Sequence, residues 1–393
     1  MAGPKSSPPR AGGAGAGGAG KGVPPGDPRV APGTRLSSRQ RWMILGAVVV
    51  VAAAGTTASV LAGRHHGTSP TQHVSSGAET EMPSGGLAGR TPALVFRSTT
   101  LDRRYGDVAA VSLGDTGAGR ALTTMACDRV DYVAGTGLCL TRGNKPPLVS
   151  TRAIVFDAAF HTTHTIELAG YPSRTRVSPD GRYGAATNFV NGDSYATMGF
   201  STRTDLLDLR AGTVLFDLEK LHVVRDGKSF QATDFNFWGV TFTSDSQHFY
   251  ATLGTGGHTY LIQADVATRQ ATVITDGVEC PSLSPDGHRI AFKQRVPGST
   301  VAWRLSVLDL ATLRRHPLAE TANIDDQAEW YDNNTVMYAA PENAADAQAA
   351  TAAGLSALST GGSIATDTWT VPADGSGAPT RLLSGAWSAV VVR

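Results

Sequence analysis

From residue 91 onward, short apolar runs alternate with turn-forming residues. In 278–292, the apolar residues Leu283 and Ile290-Ala291-Phe292 flank the turn Pro285-Asp286-Gly287. Proline sets φ near the value a turn needs, aspartate bonds its own backbone, and glycine accepts a positive φ. Two apolar runs around such a turn predict a β-hairpin. Because the same phrase recurs in 176–185, we infer that the hairpin belongs to a repeated unit.

The repeat has a period of 40–65 residues, which is typical of propellers and solenoids. The predicted innermost strands and their hairpin partners are 127–133 with 137–141, 174–178 with 183–190, 238–243 with 249–253, 280–284 with 290–293, and 328–331 with 336–339. A third strand follows each hairpin, as at 205–209 and 305–310, and a short fourth follows at 213–218, 271–274 and 314–318. Four antiparallel strands per unit predict a propeller blade.

The two ends of the repeat region complement each other. Residues 93–96, 107–113 and 120–124 read as second, third and fourth strands without a first. The last stretch, 386–392, reads as a first strand with nothing after it. Because pairing the two ends removes an exposed sheet edge, we expect an all-β fold over 91–393, a six-bladed β-propeller closed by the C-terminal strand.

These phrases resemble the PD40 repeat of TolB-like, WD40-like propellers. The resemblance rests on Ser-Pro-Asp-Gly before Ile-Ala-Phe in 284–292 and on the stretch 367–377. The longer phrases 236–242 and 278–283 resemble a membrane-anchored actinobacterial group of such proteins. The resemblance implies the fold and leaves function open, since propellers serve binding, scaffolding and catalysis. Unlike periplasmic TolB, the sequence shows no separate N-terminal α/β domain.

The first 90 residues have a different composition. Residues 1–41 are rich in Gly, Pro, Ala and Ser, with seven Lys/Arg and one Asp, so we expect a disordered cytoplasmic tail. Residues 42–63 are uncharged and apolar, which predicts a transmembrane signal-anchor helix, and 64–90 read as a flexible stalk. The preceding positive charge predicts an extracytoplasmic propeller on the cell membrane. Cleavage after Val60-Leu61-Ala62, giving a secreted protein, is the alternative.

The charge balance narrows the class of partner, and the cysteine positions suggest one disulfide. From residue 64 onward the sequence has 27 basic and 32 acidic residues. This balance argues against nucleic acid as the partner, because phosphate binding needs a basic face. Cys127 and Cys139 fall on predicted hairpin partners and could form a disulfide, with three unpaired thiols as the alternative. Cys280 is left over. We predict no cofactor.

Catalytic and metal-site signatures are absent from the sequence. There is no Gly-x-Ser-x-Gly, and the histidines and cysteines do not have the spacing of a metal site. Acidic and amide residues instead recur near the starts of innermost strands, where they could ring one mouth of the channel. They are Asp234, Asn236, Glu279, Asp325, Asp326 and Glu329. Convergent oxygens there could hold a cation or a basic group of a partner, while capping of strand ends is the alternative.

The leading hypothesis is a membrane-anchored, extracytoplasmic, non-enzymatic scaffold that binds a cell-envelope protein or surface component. Recognition would depend on shape and charge at the channel mouth. The first alternative is an enzyme of the propeller hydrolase or lactonase type with a cation held by the channel carboxylates. The second is an envelope sensor that signals through the tail.

Overall fold

Almost every regular element in the part of the chain that the structure describes is a β-strand, as the alternation predicts. The computed structural model describes residues 79–87, 92–143, 149–191, 199–298, 302–342 and 364–393. Within them the strands, in chain order, are β1 (Thr80–Glu81), β2 (Ala93–Ser98), β3 (Asp107–Ser112), β4 (Ala121–Ala126), β5 (Arg129–Val133), β6 (Thr136–Arg142), β7 (Ser150–Asp157), β8 (Thr162–Ala169), β9 (Tyr171–Val177), β10 (Tyr183–Asn191), β11 (Ser201–Asp208), β12 (Thr213–Asp217), β13 (His222–Arg225), β14 (Lys228–Ser229), β15 (Asn236–Phe242), β16 (His248–Thr255), β17 (His258–Asp265), β18 (Gln270–Asp276), β19 (Glu279–Leu283), β20 (Arg289–Arg295), β21 (Trp303–Asp309), β22 (Arg315–Pro317), β23 (Glu329–Asp332), β24 (Thr335–Pro341), β25 (Thr366–Pro372), β26 (Thr380–Leu383) and β27 (Ala386–Val392). A single turn of 3₁₀ helix, Leu218–Lys220, follows β12.

The strands form six sheets, which we number as blades 1 to 6. Blade 1 has the order β1-β4-β3-β2-β27; blades 2 and 3 are β5–β8 and β9–β12. Blade 4 is β15–β18 with β13 and β14 added outside; blades 5 and 6 are β19–β22 and β23–β26. The innermost strands contact one another in the order β27, β5, β9, β15, β19, β23 and back to β27. This ring of four-stranded units is the predicted six-bladed propeller.

The C-terminal strand closes the ring. β27 pairs antiparallel with β2, with Leu94 opposite Val391 and Ala93 opposite Val392. Its bounds are those predicted from the sequence, and the closure by the last strand is confirmed. Blade 1 is thereby built from both ends of the repeat region, and β27 covers the edge of β2 that would otherwise be unpaired.

The apolar core lies mainly between neighbouring blades. Leu206 of blade 3 packs in one cluster with Phe237, Phe249 and Ile262 of blade 4. A second cluster joins Leu305 and other residues of blade 5 to the aromatic residues of blade 6. Because each blade is buried against the next, removing one of these large side chains would cost about 2–5 kcal/mol of folding free energy.

The predicted hairpin turns are held by their own side chains. In the turn between β9 and β10, the Ser178 hydroxyl donates to Asp180 at 2.6 Å and accepts from the Tyr183 amide at 2.8 Å. Between β19 and β20, Ser284 donates to Asp286 at 2.5 Å and accepts from the Arg289 amide at 2.9 Å. These local bonds satisfy the turn and fix its shape, which explains the recurrence of Ser-Pro-Asp-Gly.

Three innermost strands share a bulge. Gly239 in β15, Cys280 in β19 and Ser388 in β27 all have positive φ, at 67°, 49° and 54°. The pairing register shifts at each of these positions. A bulge with its extra residue in the left-handed region turns the following backbone, so it can re-aim a carbonyl group.

Some elements were not predicted. β13 and β14 form a hairpin on the outer edge of blade 4, where β13 runs parallel to β18 with His222 opposite Gln270. Within the predicted stalk, β1 pairs parallel with β4, and Leu87 is buried in the cluster between blades 1 and 2. The segment before residue 91 therefore packs on the propeller in part.

The predicted tail 1–41 and anchor helix 42–63 lie outside the described residues. Among the residues that are described, no helix is long and apolar enough to cross a membrane. Residues 191–201 and 341–365, two stretches that lengthen the period of the repeat, also fall largely outside them.

Cys127 and Cys139 form a disulfide, with their Cα atoms 5.5 Å apart. Cys127 lies two residues before β5 rather than on it, and Cys139 lies on β6. The bond thus ties the entry of blade 2 to its second strand. Cys280, in the bulge of β19, is a buried free thiol.

Position 239 requires glycine for two reasons, one steric and one conformational. A Cβ there would lie 2.6 Å from the Cα of Cys280, and the backbone φ is 67°. We expect Gly239→Ala to lower the free energy of unfolding by about 3 kcal/mol or more, measured by urea denaturation. Gly227→Ala is the matched control, since φ is 72° with no atom within 4 Å, and it should cost only about 1 kcal/mol. Equal losses in the two variants would contradict the close approach of β15 and β19.

Candidate functional site

Charged side chains are concentrated on the propeller axis. They come from the innermost strands of blades 2, 3 and 6, from β20 of blade 5, and from the segment before β23. The residues are Arg129, Asp131, Arg174, Arg176, Lys293, Asp325, Asp326 and Glu329, and most are less than a tenth exposed. Buried charges are stable only when they are paired and hydrogen-bonded, so their partners decide what this site can do.

Asp326 is held by blades 1 and 2. Its Oδ1 accepts from Arg129 Nη1 at 2.8 Å and from the Trp387 indole at 3.3 Å. The Arg129 guanidinium lies 3.9 Å from the centre of the Trp387 ring, a cation–π contact. Burial alone would raise the pKa of Asp326, but Arg129 and Arg174 outweigh it and hold the pKa below its usual value. Asp326 is therefore ionised, and its role is structural, as the partner of Arg129 and Trp387.

Asp325 is held from the other side of the ring. Its carboxylate is bonded to Lys293 Nζ of blade 5, and Arg174 Nη2 of blade 3 lies 3.5 Å from Oδ1. Arg174 also donates to the Asp325 carbonyl at 3.0 Å. Lys293 lies 4.2 Å from the centre of the Trp303 ring. The two carboxylates of Asp325 and Asp326 thus face three cations, one each from blades 2, 3 and 5.

Gln327 fastens the same segment to blades 4 and 5. Its side-chain amide donates to the carbonyls of Val240 at 3.1 Å and Pro281 at 3.3 Å. These carbonyls follow the bulge residues Gly239 and Cys280 directly. Each bulge is thus followed by a carbonyl that accepts a hydrogen bond from Gln327 at the axis.

A second charged group lies beyond Gln327. Arg176 Nη1 pairs with Glu329 across the axis, and Nη2 donates to the Ser282 hydroxyl at 3.2 Å and the Ala328 carbonyl at 2.9 Å. Nearby, Asp131 accepts from the backbone amides of Tyr132 and Val177 at 2.8 and 2.7 Å. Burial raises the pKa of both Asp131 and Glu329, and Arg176 only partly opposes this.

Above this group the channel opens as a funnel of about 330 Å³, on the side of the first hairpin turn of each blade. All six blades contribute to its wall, with Val391, Val133, Pro179, Phe242, Leu283 and Trp330 from blades 1 to 6 in order. Asp131, Arg176 and Glu329 form its floor. A quarter of the Glu329 side chain is exposed. A concave, largely apolar wall with a few convergent polar groups is the usual form of a binding site.

The predicted site residues separate into three groups. Asp325, Asp326 and Glu329 come together at the axis. Glu279 lies at the start of β19, where Arg295 Nε bonds it at 2.6 Å and the Trp303 indole at 3.2 Å. Asn236 bonds the Thr202 amide at 2.9 Å between blades 3 and 4, and Asp234 is exposed and bonds Thr255. The six residues do not form one ring.

The carboxylates near the axis fit basic side chains better than a metal ion. Those of Asp325, Asp326, Glu279 and Glu329 each bond a lysine or arginine. In the described part of the chain, no group of three His, Cys, Asp or Glu side chains is arranged to hold a metal ion. A divalent ion would have to displace these cations, and the buried ones among them, Arg129 and Lys293, would lose the carboxylates that they bond.

Sequence reasoning missed the basic half of the site. Arg129 and Asp131, and likewise Arg174 and Arg176, are two residues apart on innermost strands, so each pair lies on one side of its strand. Charged pairs of this spacing on predicted core strands were the available signal. Lys293 sits in the otherwise apolar stretch 290–293 and was visible in the same way.

Comparisons with known proteins agree with the fold. No family model matches the chain, and no curated protein matches it by sequence. Among solved structures, TolB from Acinetobacter baumannii is similar with a TM-score of 0.50 and 15% identity, over 77% of this chain and 67% of that one. An oligogalacturonate lyase in complex with manganese has a TM-score of 0.40 and 11% identity, over 60% and 68%. The propeller domain of the trilobed protease from Pyrococcus furiosus has 0.34 and 10%, over 62% and 67%.

The chain thus has the fold of the TolB-like, WD40-like propellers, and the expected resemblance is confirmed at that level. The propeller fold alone does not select one activity, since propellers serve binding, scaffolding and catalysis.

The Arg129–Asp326 pair can be tested against an exposed pair. Asp326→Asn leaves Arg129 buried without its counter-charge, so we expect a loss of about 3–5 kcal/mol in the free energy of unfolding. The double variant Arg129→Met with Asp326→Asn should lose less than Asp326→Asn alone. In the control, Asp276→Asn, the carboxylate that pairs with Arg315 is largely exposed, so its loss should cost under about 1 kcal/mol. If the double variant were less stable than both Asp326→Asn and Asp276→Asn, the result would argue against the Arg129–Asp326 pair.

Glu329 predicts a pH dependence of stability. Because its folded pKa lies above the ordinary 4.5, the folded state binds more protons, so this residue's contribution to stability falls as pH rises from 4.5 through the folded pKa. Glu329→Gln removes that contribution. In urea unfolding between pH 4.5 and 7.5, the variant should therefore gain stability relative to the parent as pH rises. Asp374→Asn, at an exposed acid with a lowered pKa, should show no such trend above pH 5. A flat difference for Glu329→Gln would contradict the raised pKa.

Proposed function

We propose that this protein is a non-enzymatic binding module that receives a protein or surface component of the cell envelope in the axial funnel. The observation that supports the proposal is a funnel walled by all six blades, with a charged floor. Its rim turns are fixed by their own serine and aspartate bonds. A pre-organised concave surface loses little entropy on binding, which favours recognition.

The proposal includes the predicted topology. Residues 42–63 would anchor the chain in the cell membrane, with the propeller outside and the basic tail inside. The acidic balance after residue 64 and the disulfide between Cys127 and Cys139 are compatible with an extracytoplasmic site. The funnel would then present a fixed surface to envelope components.

We favour binding over the alternative of a hydrolase or lactonase with a channel-bound cation. The reason is chemical, because the carboxylates that would hold the cation already bond Arg129, Arg176, Lys293 and Arg295. Metal analysis of the purified full-length protein tests this choice. A stoichiometric divalent ion that is lost in Glu279→Ala or Asp326→Ala would favour the enzyme.

Photo-crosslinking tests where the partner binds. p-Benzoylphenylalanine is placed in full-length protein at Pro285 on the funnel rim, at Asp234 near the start of β15, or at Leu313 in the outer turn of blade 5. All three positions are exposed. We expect a discrete adduct in cells from Pro285 alone, because only this residue lines the funnel. Adducts from Asp234 or Leu313 without one from Pro285 would overturn the funnel as the site.

A further inference from the structure

The funnel floor carries more negative than positive charge. Asp131 and Glu329 both line it, and Arg176 is the cation between them. Arg176 is already committed to Glu329, the Ser282 hydroxyl and the Ala328 carbonyl. One guanidinium thus serves two carboxylates, and each carboxylate oxygen of Asp131 keeps a lone pair after accepting its backbone amide.

The wall above this floor is mainly apolar. Val133, Phe242, Leu283 and Val391 surround an opening of about 330 Å³. An anionic group entering it would meet two carboxylates, and an apolar group would bury them without compensation. A group with an apolar stem and a cationic tip matches both wall and floor, and lysine and arginine side chains have that form.

We propose that the funnel binds a lysine or arginine side chain of the partner protein, with the stem against the apolar wall and the charged tip at Glu329 and Asp131. This inference rests on the proposed function and specifies its chemistry. An organic cation is favoured over an inorganic ion because the wall offers carbon atoms rather than further oxygen ligands.

The probes are blocked peptides Ac-Gly-Gly-Xaa-Gly-Gly-NH₂ with Xaa as lysine, arginine, norleucine or glutamate. Binding to purified full-length protein is measured by ligand-observed NMR titration. We expect the lysine and arginine peptides to bind roughly tenfold more tightly than the glutamate peptide and more tightly than the norleucine peptide. Glu329→Gln should weaken the lysine peptide roughly fivefold and leave the norleucine peptide unchanged. Asp374→Asn, at an exposed acid outside the funnel, is the control and should change neither.

Substitutions at the funnel rim test the same inference even if Glu329→Gln, at the floor, has a folding defect. Ser244 is exposed and lines the funnel. Ser244→Glu should strengthen the lysine peptide about two- to threefold, and Ser244→Lys should weaken it by a similar factor, because each adds one charge at the entrance. Neither change touches the core.

Several results would overturn the inference: no binding by any peptide, equal binding of lysine and norleucine peptides, or no response to Glu329→Gln and to either Ser244 change. Failure of the inference remains distinct from failure of the proposed function. If Pro285 still gives the adduct in cells while no basic preference is found, the funnel binds a partner of other chemistry. If the basic preference holds and Pro285 gives no adduct, the site binds cationic side chains but the proposed envelope partner is wrong.

Discussion

The antiparallel ladder between β2 and β27 is the interaction on which the rest of the propeller depends. It joins the first and last strands of the repeat region, and it also places two side chains of β27 that no other strand could supply. The Ser388 hydroxyl donates to the Val130 carbonyl at 2.9 Å and accepts from the Val130 amide at 3.2 Å, which ties blade 1 to blade 2. Trp387 bonds Asp326 at the axis. Closure of the ring therefore also places a side chain that bonds one of the buried axial charges.

The axial charges divide the channel into two unequal ends. On the side where innermost strands begin, the segment 325–327 is bonded to blades 2, 3, 4 and 5, so buried charge and bulge carbonyls are satisfied together. On the other side, only Arg176, Glu329 and Asp131 meet, and the wall above them is open. Breaking a pair at the first end would destabilise the ring, because a buried charge would lose its counter-charge. The second end can accept a ligand group without breaking those pairs.

Most of the fold could be predicted from the sequence, because hairpins are local. Turn residues, apolar runs and the unmatched strands at the two ends sufficed for six blades and for β27.

The site was less predictable because its pairs join distant residues. Arg129 and Asp326 are 197 positions apart, and Arg174 and Asp325 are 151 apart. Local spacing flagged Asp325, Asp326 and Glu329, but only the closed ring shows which cations face them. The same limit explains why Asp234 and Asn236 were grouped with Glu279. The three residues share a blade position, but Asp234 and Asn236 bond different neighbours in the structure. Which end of the channel stays open depends on the segment before β23, whose path no periodicity describes.

The rim and the floor of the funnel contribute different things to recognition. The hairpin turns at 178–181 and 284–287 have the same serine–aspartate bonding, and Thr243 with Asp245 repeats it in blade 4 at 2.6 Å. A repeated, internally satisfied turn gives the rim rigidity but little to distinguish one partner from another. The floor residues differ from blade to blade, as Asp131, Arg176 and Glu329 each occur once. Specificity should therefore depend on the floor, while the repeated turns keep the entrance in one shape and so reduce the entropy lost on binding.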